Sequence, residues 1–175
     1  KVLKPEKAPA LMKTREQKMR ILESWGLDAV WEIPFTHEFA ELEAEAFVRD
    51  FLVAGLNVRE LFLGEDFCFG RGRKGDVALL KRMGAEAGFL VEAAPEVTVD
   101  GEPVRSSTIR DHLAEGRIER ANLLLGRPYW VEGVTGKGKG RGVALGFPTA
   151  NLALSNELIP RLGVYCVWVL LEDGV

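Results

Sequence analysis

The sequence contains few of the residues that build metal centres and disulfide frameworks. Its 175 residues include only two cysteines, Cys68 and Cys166, and two histidines, His37 and His112. The cysteines lie far apart in apolar runs without C-x-x-C spacing, which excludes a zinc or redox pair, and we expect two buried free thiols. Neither histidine has the Ser or Cys partner pattern of a catalytic triad. We therefore expect both histidines at the surface or at a helix cap.

Long apolar runs and a strong net charge are also missing. No stretch approaches the roughly 20 apolar residues of a membrane span, and the N-terminal K-V-L-K-P-E-K does not resemble a signal peptide. Lys and Arg number 23 against 26 Asp and Glu, a formal net charge of -3, which is unlike a general nucleic-acid-binding protein. We expect a cytoplasmic protein that binds small molecules rather than a nucleic acid or a membrane. The oligomeric state is left open.

Helical and strand patterns alternate over residues 1–125. The 47% hydrophobic content is ample for a packed core. Thr14 followed by Gln17 predicts a capping box at the start of a helix that Gly26 ends. Further helices are expected over 44–53, 76–88 and 107–119, and strands over 58–64 and 89–93. This alternation predicts an α/β domain with a parallel sheet and covering helices.

The pattern changes after Leu125, where Gly126-R-P signals a turn or linker. Residues 129–134 and 163–171 are rich in β-branched and aromatic side chains, which predicts an antiparallel β domain over 126–175. Such a domain is short for an independent barrel. Asp173-G-V at the end resembles a hairpin turn without its second strand. We therefore expect the second domain to be incomplete.

A glycine-rich, basic segment over 133–146 leads into G-F-P-T-A-N. Six of its fourteen positions are glycine and three are Lys or Arg, a composition suited to binding phosphate. Pro148 then stiffens the chain, and Thr149 and Asn151 supply oxygen atoms suited to Mg²⁺. The spacing fits neither the P-loop nor G-x-G-x-x-G. A solvated linker or a mobile hairpin tip remains the alternative.

A second candidate loop, G-E-D-F-C-F-G-R-G-R-K-G-D, follows the predicted strand over 58–64. Ligands in α/β sheets bind at the carboxyl ends of strands. Asp66 can hydrogen-bond a ligand or organise the loop, Phe67 and Phe69 can wall a flat ring, and the basic residues can meet phosphates. Alternatively, both phenylalanines belong to the core and the basic side chains are solvated.

The third candidate is V-R-S-S-T-I-R-D-H-L at the start of the last predicted helix. Ser106, Ser107 and Thr108 offer hydroxyls where helical N–H groups are unpaired, and Arg110 lies in the first turn. Together they can hold one phosphate. Helix capping alone explains one Ser or Thr here, but it does not require three hydroxyls and an arginine.

Five segments together resemble the bacterial bifunctional riboflavin kinase/FAD synthetase family, in the same order. In chain order they are G-E-D-F-C-F-G-R-G-R-K-G-D, S-S-T-I-R, A-N-L-L-L-G-R-P-Y, G-F-P-T-A-N-L and I-P-R-L-G-V-Y. The resemblance implies a Rossmann-like nucleotidyltransferase domain over 1–125 that converts FMN to FAD. It also implies a C-terminal Greek-key β-barrel, begun at residue 126, that phosphorylates riboflavin to FMN. By the same resemblance, both reactions use ATP and Mg²⁺. In such transfers the protein mainly positions the reactants and neutralises phosphate charge.

The resemblance also implies roles for the candidate residues. Thr149 and Asn151 match the kinase's Mg·ATP ligands, with the glycine-rich segment as a flap around the nucleotide. Phe67 and Phe69 are candidates for the flavin pocket. The candidate nucleotide and phosphate ligands are Asp66, Ser106, Ser107, Arg110, Gly138, Gly140, Arg141 and Gly146.

The chain departs from the family pattern in three places. The family usually has S-S-T-x-I-R, and alignment on Ile109-Arg110 shifts the hydroxyl residues by one position. The G-x-F-D-G-x-H-x-G-H motif is missing, and the kinase's general-base Glu is expected beyond Val175. We therefore expect an internal fragment, inactive by itself, whose catalytic residues lie outside it. The alternatives are a non-catalytic flavin or nucleotide-binding module and a nucleic-acid-binding barrel, although the acidic balance argues against the latter.

Overall fold

The computed structural model describes residues 2, 3, 5–138, 142 and 146–171. The chain divides into two compact units, each built from two stretches of sequence. The first unit comprises Lys1–Pro9 and Asp28–Thr98, and the second comprises Ala10–Leu27 and Val99–Val175. None of the helices within the described ranges has the length and apolar character that a membrane crossing requires.

The first unit is built around a parallel strand pair joined by a helix. Its helices are α2 (His37–Ala40), α3 (Ala44–Ala46), which continues as a π-helix over Phe47–Gly55, and α4 (Val77–Ala87), with short 3₁₀ turns at Pro5–Lys7 and Arg71–Arg73. Strand β1 (Glu60–Gly64) pairs in parallel with β2 (Leu90–Ala94), with Glu60 opposite Leu90. The predicted alternation of strand and helix is thus confirmed for this unit.

Helix α4 begins and ends as its sequence predicts. The Asp76 carboxylate caps its first turn, accepting from the Leu79 N–H at 2.8 Å, and Gly88 ends it with a φ of 83°. Gly84 lets the helix lie close to the chain that follows, since a Cβ there would lie 2.7 Å from the Phe89 carbonyl oxygen. The core of the unit packs between these elements. Its buried members are Ala44, Val48, Leu52, Phe69, Leu80 and Phe89.

The second unit contains three helices and one short hairpin among its described residues, and a further hairpin, β3–β4, starts at Thr98, one residue before its second stretch. They are α1 (Arg15–Ser24), β3 (Thr98–Val99) paired with β4 (Glu102–Pro103), α5 (Ser106–Glu115), α6 (Ile118–Leu125), and β5 (Gly133–Gly136) paired with β6 (Asn151–Leu154). Strands β5 and β6 are antiparallel, with Gly136 opposite Asn151. The Thr14 capping box is confirmed, because the Gln17 N–H donates to Thr14 Oγ1 at 3.2 Å and Gln17 Oε1 accepts from the Thr14 N–H at 3.1 Å.

The helix predicted over 107–119 is instead two helices. Gly116 adopts a φ of 81°, ends α5 and lets the chain turn into α6. The two helices pack through Ile109, Leu113, Ala121 and Leu124, which form the buried core of this unit. A second core feature is polar: Gln17 is fully buried and Asn156 is 6% exposed, and their side-chain amides hydrogen-bond each other.

The β-rich tail differs from its prediction. Residues 163–171 form no strand in the part of the chain that the structure describes, and strand β5 begins only at Gly133. Val164 and Trp168 are almost fully exposed. β-propensity acts through pairing and burial, and no described strand pairs with this segment. The fold is therefore mixed α/β with small sheets, none of them closed among the described residues.

The cysteine prediction is half right. Both thiols are free, but Cys68 is only partly buried and Cys166 is exposed. Cys166 lies within the unpaired segment 163–171. An apolar neighbourhood in sequence predicts burial only where the segment packs against another element.

Candidate functional site

The β5–β6 hairpin brings the glycine-rich segment beside Thr149 and Asn151. A Cβ built on Gly138 would overlap the Asn151 side-chain amide, and one built on Gly142 would lie 2.9 Å from Thr149 Oγ1. The Phe147 N–H donates to the Gly142 carbonyl at 2.8 Å, which closes the loop. Thr149 and Asn151 are both exposed. The structure thus places the two predicted metal ligands against the backbone of the predicted flap.

Gly146 has a φ of 81°, in the left-handed region that favours glycine, and nothing lies near the place of its missing Cβ. The other two candidates of this segment, Gly140 and Arg141, lie outside the described residues. Both strands of the hairpin are four residues long. Asn151 is the first residue of β6, so the hairpin pairing fixes its backbone directly.

Asp66 and Phe67 lie in the turn that follows β1, where the Phe67 N–H donates to the Gly64 carbonyl at 3.0 Å. Asp66 is exposed. The Phe67 and Phe69 rings stack with centroids 5.7 Å apart, but their environments differ, since Phe69 is 9% exposed and Phe67 is 40% exposed. Phe69 is therefore a core residue, as the alternative interpretation has it, whereas Phe67 presents a ring face to solvent.

The rest of this loop is held by its own contacts. The Arg71 guanidinium pairs with Glu41 at 3.0 Å and with Glu43 at 3.5 Å. Gly75 packs against the Phe69 ring and pairs with Phe69 in an isolated antiparallel bridge. Arg71 is therefore engaged in ion pairs with Glu41 and Glu43. The other basic residues of the loop, Arg73 and Lys74, are exposed to solvent.

Helix α5 presents the third candidate group at its first turn. Arg105 occupies the N-cap position and its side chain makes no capping hydrogen bond, so Ser106 and Ser107 are not N-cap residues. Both serines are exposed. Arg110 Nε donates to the Ala10 carbonyl at 3.0 Å, which anchors one edge of its guanidinium. The capping alternative is thus wrong, because neither serine is the N-cap residue. The Arg105 side chain does not cap the first-turn N–H groups of α5 either.

His112 differs from its prediction because it is buried, with 7% of its surface exposed. Its Nε2 lies 2.7 Å from Glu102 Oε1, and Arg117 Nε donates to its Nδ1 at 2.8 Å. The partners belong to neighbouring elements, five and ten positions away, and a lone histidine in a helical pattern gives no signal of such contacts. His37, in contrast, is exposed at the start of α2, as predicted.

A lysine near the start of α1 is held against two aromatic rings. Lys13 Nζ lies 3.4 Å from the Trp130 ring centroid and 4.4 Å from that of Tyr129, and it donates to the Trp130 carbonyl at 3.2 Å. Burial, with the nearby Arg127 charge, lowers the pKa of Lys13 to about 8. Burial raises the pKa of Tyr129 to about 12, and its hydroxyl lies 2.9 Å from the Met12 carbonyl oxygen.

The described residues contain no group of three or more His, Cys, Asp and Glu side chains that could hold a metal ion. Thr149 and Asn151 are two positions apart and both exposed, and neutral side-chain oxygens are acceptable to Mg²⁺ when substrate phosphates complete its shell. The donor set thus fits Mg²⁺ held together with a nucleotide.

Two family models match the chain in succession. The FAD synthetase model matches residues 1–108, and the riboflavin kinase model matches residues 125–175. The bifunctional riboflavin kinase/FMN adenylyltransferase of Escherichia coli K12 is 39% identical over 94% of this chain and 53% of its own length. The enzyme of the same name from Haemophilus influenzae is 37% identical over 95% of this chain and 54% of its own length.

A solved structure is similar as well. A crystal structure described as a macrolide-efflux protein from Streptococcus pneumoniae superposes with a TM-score of 0.80 at 29% identity, over 88% of this chain and 49% of that one. The chain spans about half the length of the curated relatives it matches. The FAD synthetase model covers more than half of the chain, and the predicted family resemblance is confirmed. The chain belongs to the FAD synthetase family, and a riboflavin kinase segment follows the FAD synthetase segment along it.

Proposed function

We propose that the protein expressed from its complete gene makes flavin cofactors in two ATP-dependent steps. In the first, a riboflavin hydroxyl attacks the γ-phosphorus of ATP, which gives FMN and ADP. In the second, an FMN phosphate oxygen attacks the α-phosphorus of ATP, which gives FAD and pyrophosphate. The observation that carries the proposal is the succession of FAD synthetase and riboflavin kinase segments on one chain, at 39% identity to a bifunctional enzyme.

For the adenylylation step we assign phosphate binding to the start of α5 in the second unit. Separately, we assign a ligand-binding role to the turn after β1 in the first unit. Ser106 and Ser107 are exposed beside the first-turn N–H groups of α5, an arrangement suited to a phosphate. Arg110, fixed through Nε, can direct the rest of its guanidinium to phosphate oxygens. Asp66 is exposed where it can accept hydrogen bonds from a ligand, and Phe67 can stack on a flat ring.

For the kinase step we assign the nucleotide to the β5–β6 hairpin. Thr149 and Asn151 would hold Mg²⁺ through their side-chain oxygens, and the glycine-rich segment with Gly138 and Gly146 would cover the phosphates. The bound Mg²⁺ would neutralise charge on the phosphate oxygens as the phosphoryl group is transferred. The chain's own contribution is placement, since hairpin pairing and the close contact with Gly138 fix Asn151.

We further propose the domain division and the finer fold that this assignment needs. The adenylylation domain would comprise residues 1–125 and be Rossmann-like, a view supported by the parallel β1–α4–β2 unit. Residues 126–175 would belong to a Greek-key barrel, supported by the antiparallel β5–β6 pair. A cytoplasmic location with small-molecule partners alone agrees with the use of ATP and with the near-balanced charge.

Turnover of riboflavin tests the function. The purified protein from the complete gene is incubated with riboflavin, ATP and Mg²⁺, and flavins are separated by chromatography. FMN should form first and FAD after it, and omission of Mg²⁺ should stop both. Flavin or nucleotide binding without turnover would support a non-catalytic binding module instead. Riboflavin that is neither bound nor changed would contradict both the enzymatic function and the binding module.

Two substitutions test the division into two sites. Thr149→Val removes an oxygen ligand with little change of shape and should lower riboflavin phosphorylation by about 10-fold or more, while FMN adenylylation is largely retained. Arg110→Ala removes a phosphate-binding charge and should have the opposite selectivity. Equal loss of both activities from either substitution would contradict the assignment of the two sites.

A further inference from the structure

We propose that Asp100, Glu102, His112 and Arg120 form a positioning network that fixes the start of α5, and through it the nucleotide-phosphate ligands of the adenylylation site. The inference rests on the function proposed above. It assigns a role to side chains that the five sequence motifs leave unexplained.

Glu102, in strand β4, is the centre of the network. Its Oε1 lies 2.7 Å from His112 Nε2 on α5, and its Oε2 accepts from Arg120 Nε on α6 at 2.7 Å. Both carboxylate oxygens are therefore engaged, each by a different helix. The hydrogen bond from Arg120, and next that from His112, lowers the pKa of Glu102, so the carboxylate stays ionised at neutral pH.

Arg120 extends the network to the turn of the β3–β4 hairpin. Its second guanidinium nitrogen donates to Asp100 Oδ2 at 2.8 Å, and its third donates to the Val99 carbonyl at 3.0 Å. All three nitrogens of the guanidinium thus donate within the network. Arg120 is consequently committed to holding the hairpin against α6 and is not a phosphate ligand itself.

The hydrogen-bond partners of His112 indicate the tautomer of its neutral ring. The Nε–H of Arg117 can only donate, so His112 Nδ1 must accept it, at 2.8 Å. The ring proton of neutral His112 is then on Nε2, from which it is donated to Glu102. The buried His112 side chain on α5 therefore accepts a hydrogen bond from Arg117, the N-cap residue of α6, and donates one to Glu102 in β4.

The start of α5 lies between Glu102 and His112 in the sequence. Glu102 precedes Ser106 and His112 follows it, and the two are ten positions apart in sequence. Their contact closes the connection that carries Ser106 and Ser107, while Arg110 is tied separately to the Ala10 carbonyl. The carboxylates of Asp100 and Glu102 both pair with the single guanidinium of Arg120. The network therefore offers no free cation to a phosphate, and its contribution to the site is the position of α5.

Arg120→Met, in the protein from the complete gene, removes the guanidinium and keeps most of the apolar stem. Small misplacements of binding groups change rates strongly, so we expect kcat/KM for ATP in FMN adenylylation to fall by about 10-fold or more. The fall should appear as a higher KM for ATP, with the KM for FMN unchanged. Riboflavin phosphorylation by the same preparation should be unaltered.

The matched control is Arg49→Met, which removes an arginine from an exposed ion pair with Asp50. It should leave both activities as they are in the unsubstituted protein. His112→Gln keeps a donor at the position of Nε2 and should retain most of the affinity for ATP. Glu102→Gln, which keeps the shape but loses the charge, should raise the KM for ATP in the same way as Arg120→Met.

The outcomes separate this inference from the function on which it rests. An unsubstituted protein that makes FAD, together with an Arg120→Met protein whose KM for ATP is unchanged, would overturn the positioning role alone. Equal loss of both activities would overturn it too, because that is the result of general destabilisation. If Arg120→Met does not fold, Glu102→Gln decides by the same criteria. An unsubstituted protein that makes no FAD would refute the proposed adenylylation itself.

Discussion

The buried amide pair of Gln17 and Asn156 gives a quantitative test of how the second unit is held together. Asn156 Nδ2 donates to Gln17 Oε1 at 2.8 Å, and Gln17 Nε2 donates in return to Asn156 Oδ1 at 3.3 Å. Gln17 Oε1 also accepts from the Thr14 N–H, and Asn156 Oδ1 accepts from the Glu132 N–H at 2.9 Å. The pair therefore joins α1 to the segments on both sides of the β5–β6 hairpin.

The perturbation is Gln17→Met, which keeps an unbranched side chain of similar length and removes the amide. Three hydrogen bonds are lost, and the Thr14 N–H and part of the Asn156 amide are left without partners. A buried hydrogen bond contributes about 1 kcal/mol net, and a buried group left unpaired costs about 1–3 kcal/mol. We therefore expect the free energy of unfolding to fall by about 2–4 kcal/mol. Thr14→Ala, which removes only the helix cap, should cost about 1 kcal/mol.

The double variant makes the test sharper. Asn156→Leu alone should be as costly as Gln17→Met, because it leaves the Gln17 Nε2–H group and the Glu132 N–H unpaired. With both amides replaced, fewer polar groups are left without partners. The double variant should therefore lose less unfolding free energy than the two single variants lose together, by about 0.5–3 kcal/mol. Urea unfolding followed by circular dichroism measures the four free energies. Additive single costs, or a Gln17→Met cost below about 0.5 kcal/mol, would refute the reasoning.

Two other predictions concern close packing and pH. Gly84→Ala should destabilise the first unit by about 1–3 kcal/mol in thermal unfolding, despite the better helix propensity of alanine, because the new methyl would press on the Phe89 carbonyl; an unchanged or higher Tm would contradict this. The pKa of Lys13 is about 8 in the folded protein and 10.5 in the unfolded chain, so the free energy of unfolding should rise by roughly 1 kcal/mol from pH 8 to 10. Above that range the trend should reverse, because folding raises the pKa of Tyr129 from 10.0 to about 12. Lys13→Met should abolish the rise, and an NMR titration that finds an ordinary lysine pKa would refute its cause.

Local signals predicted the elements of the first unit well, since their causes lie within a few residues. Asp76 caps α4 and Gly88 ends it, and the strand on either side of that helix has the expected place. The same holds for the Thr14 capping box in the second unit. Such features depend on the hydrogen bonds of one turn, which sequence spacing specifies directly.

Two errors concern features that depend on packing between elements rather than on the hydrogen bonds of one turn. Residues 163–171 have the composition of a strand, but a strand forms only against another edge. His112 gives no sign of burial, since its hydrogen bonds to Glu102 and Arg117 arise from tertiary packing. The β3–β4 hairpin has a local signal that the prediction missed. Asp100-Gly101, with φ of 51° and 78°, is a two-residue turn that requires positive φ at both positions.

The glycine-rich segment shows why composition alone is a weak argument for a phosphate loop. Gly138 and Gly142 are required because their backbones lie against Asn151 and Thr149, whether or not a ligand is bound. A substitution such as Gly138→Ala would therefore disturb the hairpin in the free protein too, and its loss of activity would not identify a nucleotide contact. Thr149 carries the more specific signal, since its exposed hydroxyl can be replaced by the methyl of valine with the hairpin kept. The oxygens of Thr149 and Asn151, together with the riboflavin kinase match, consequently support the proposed nucleotide site, and the glycines hold those oxygens in place.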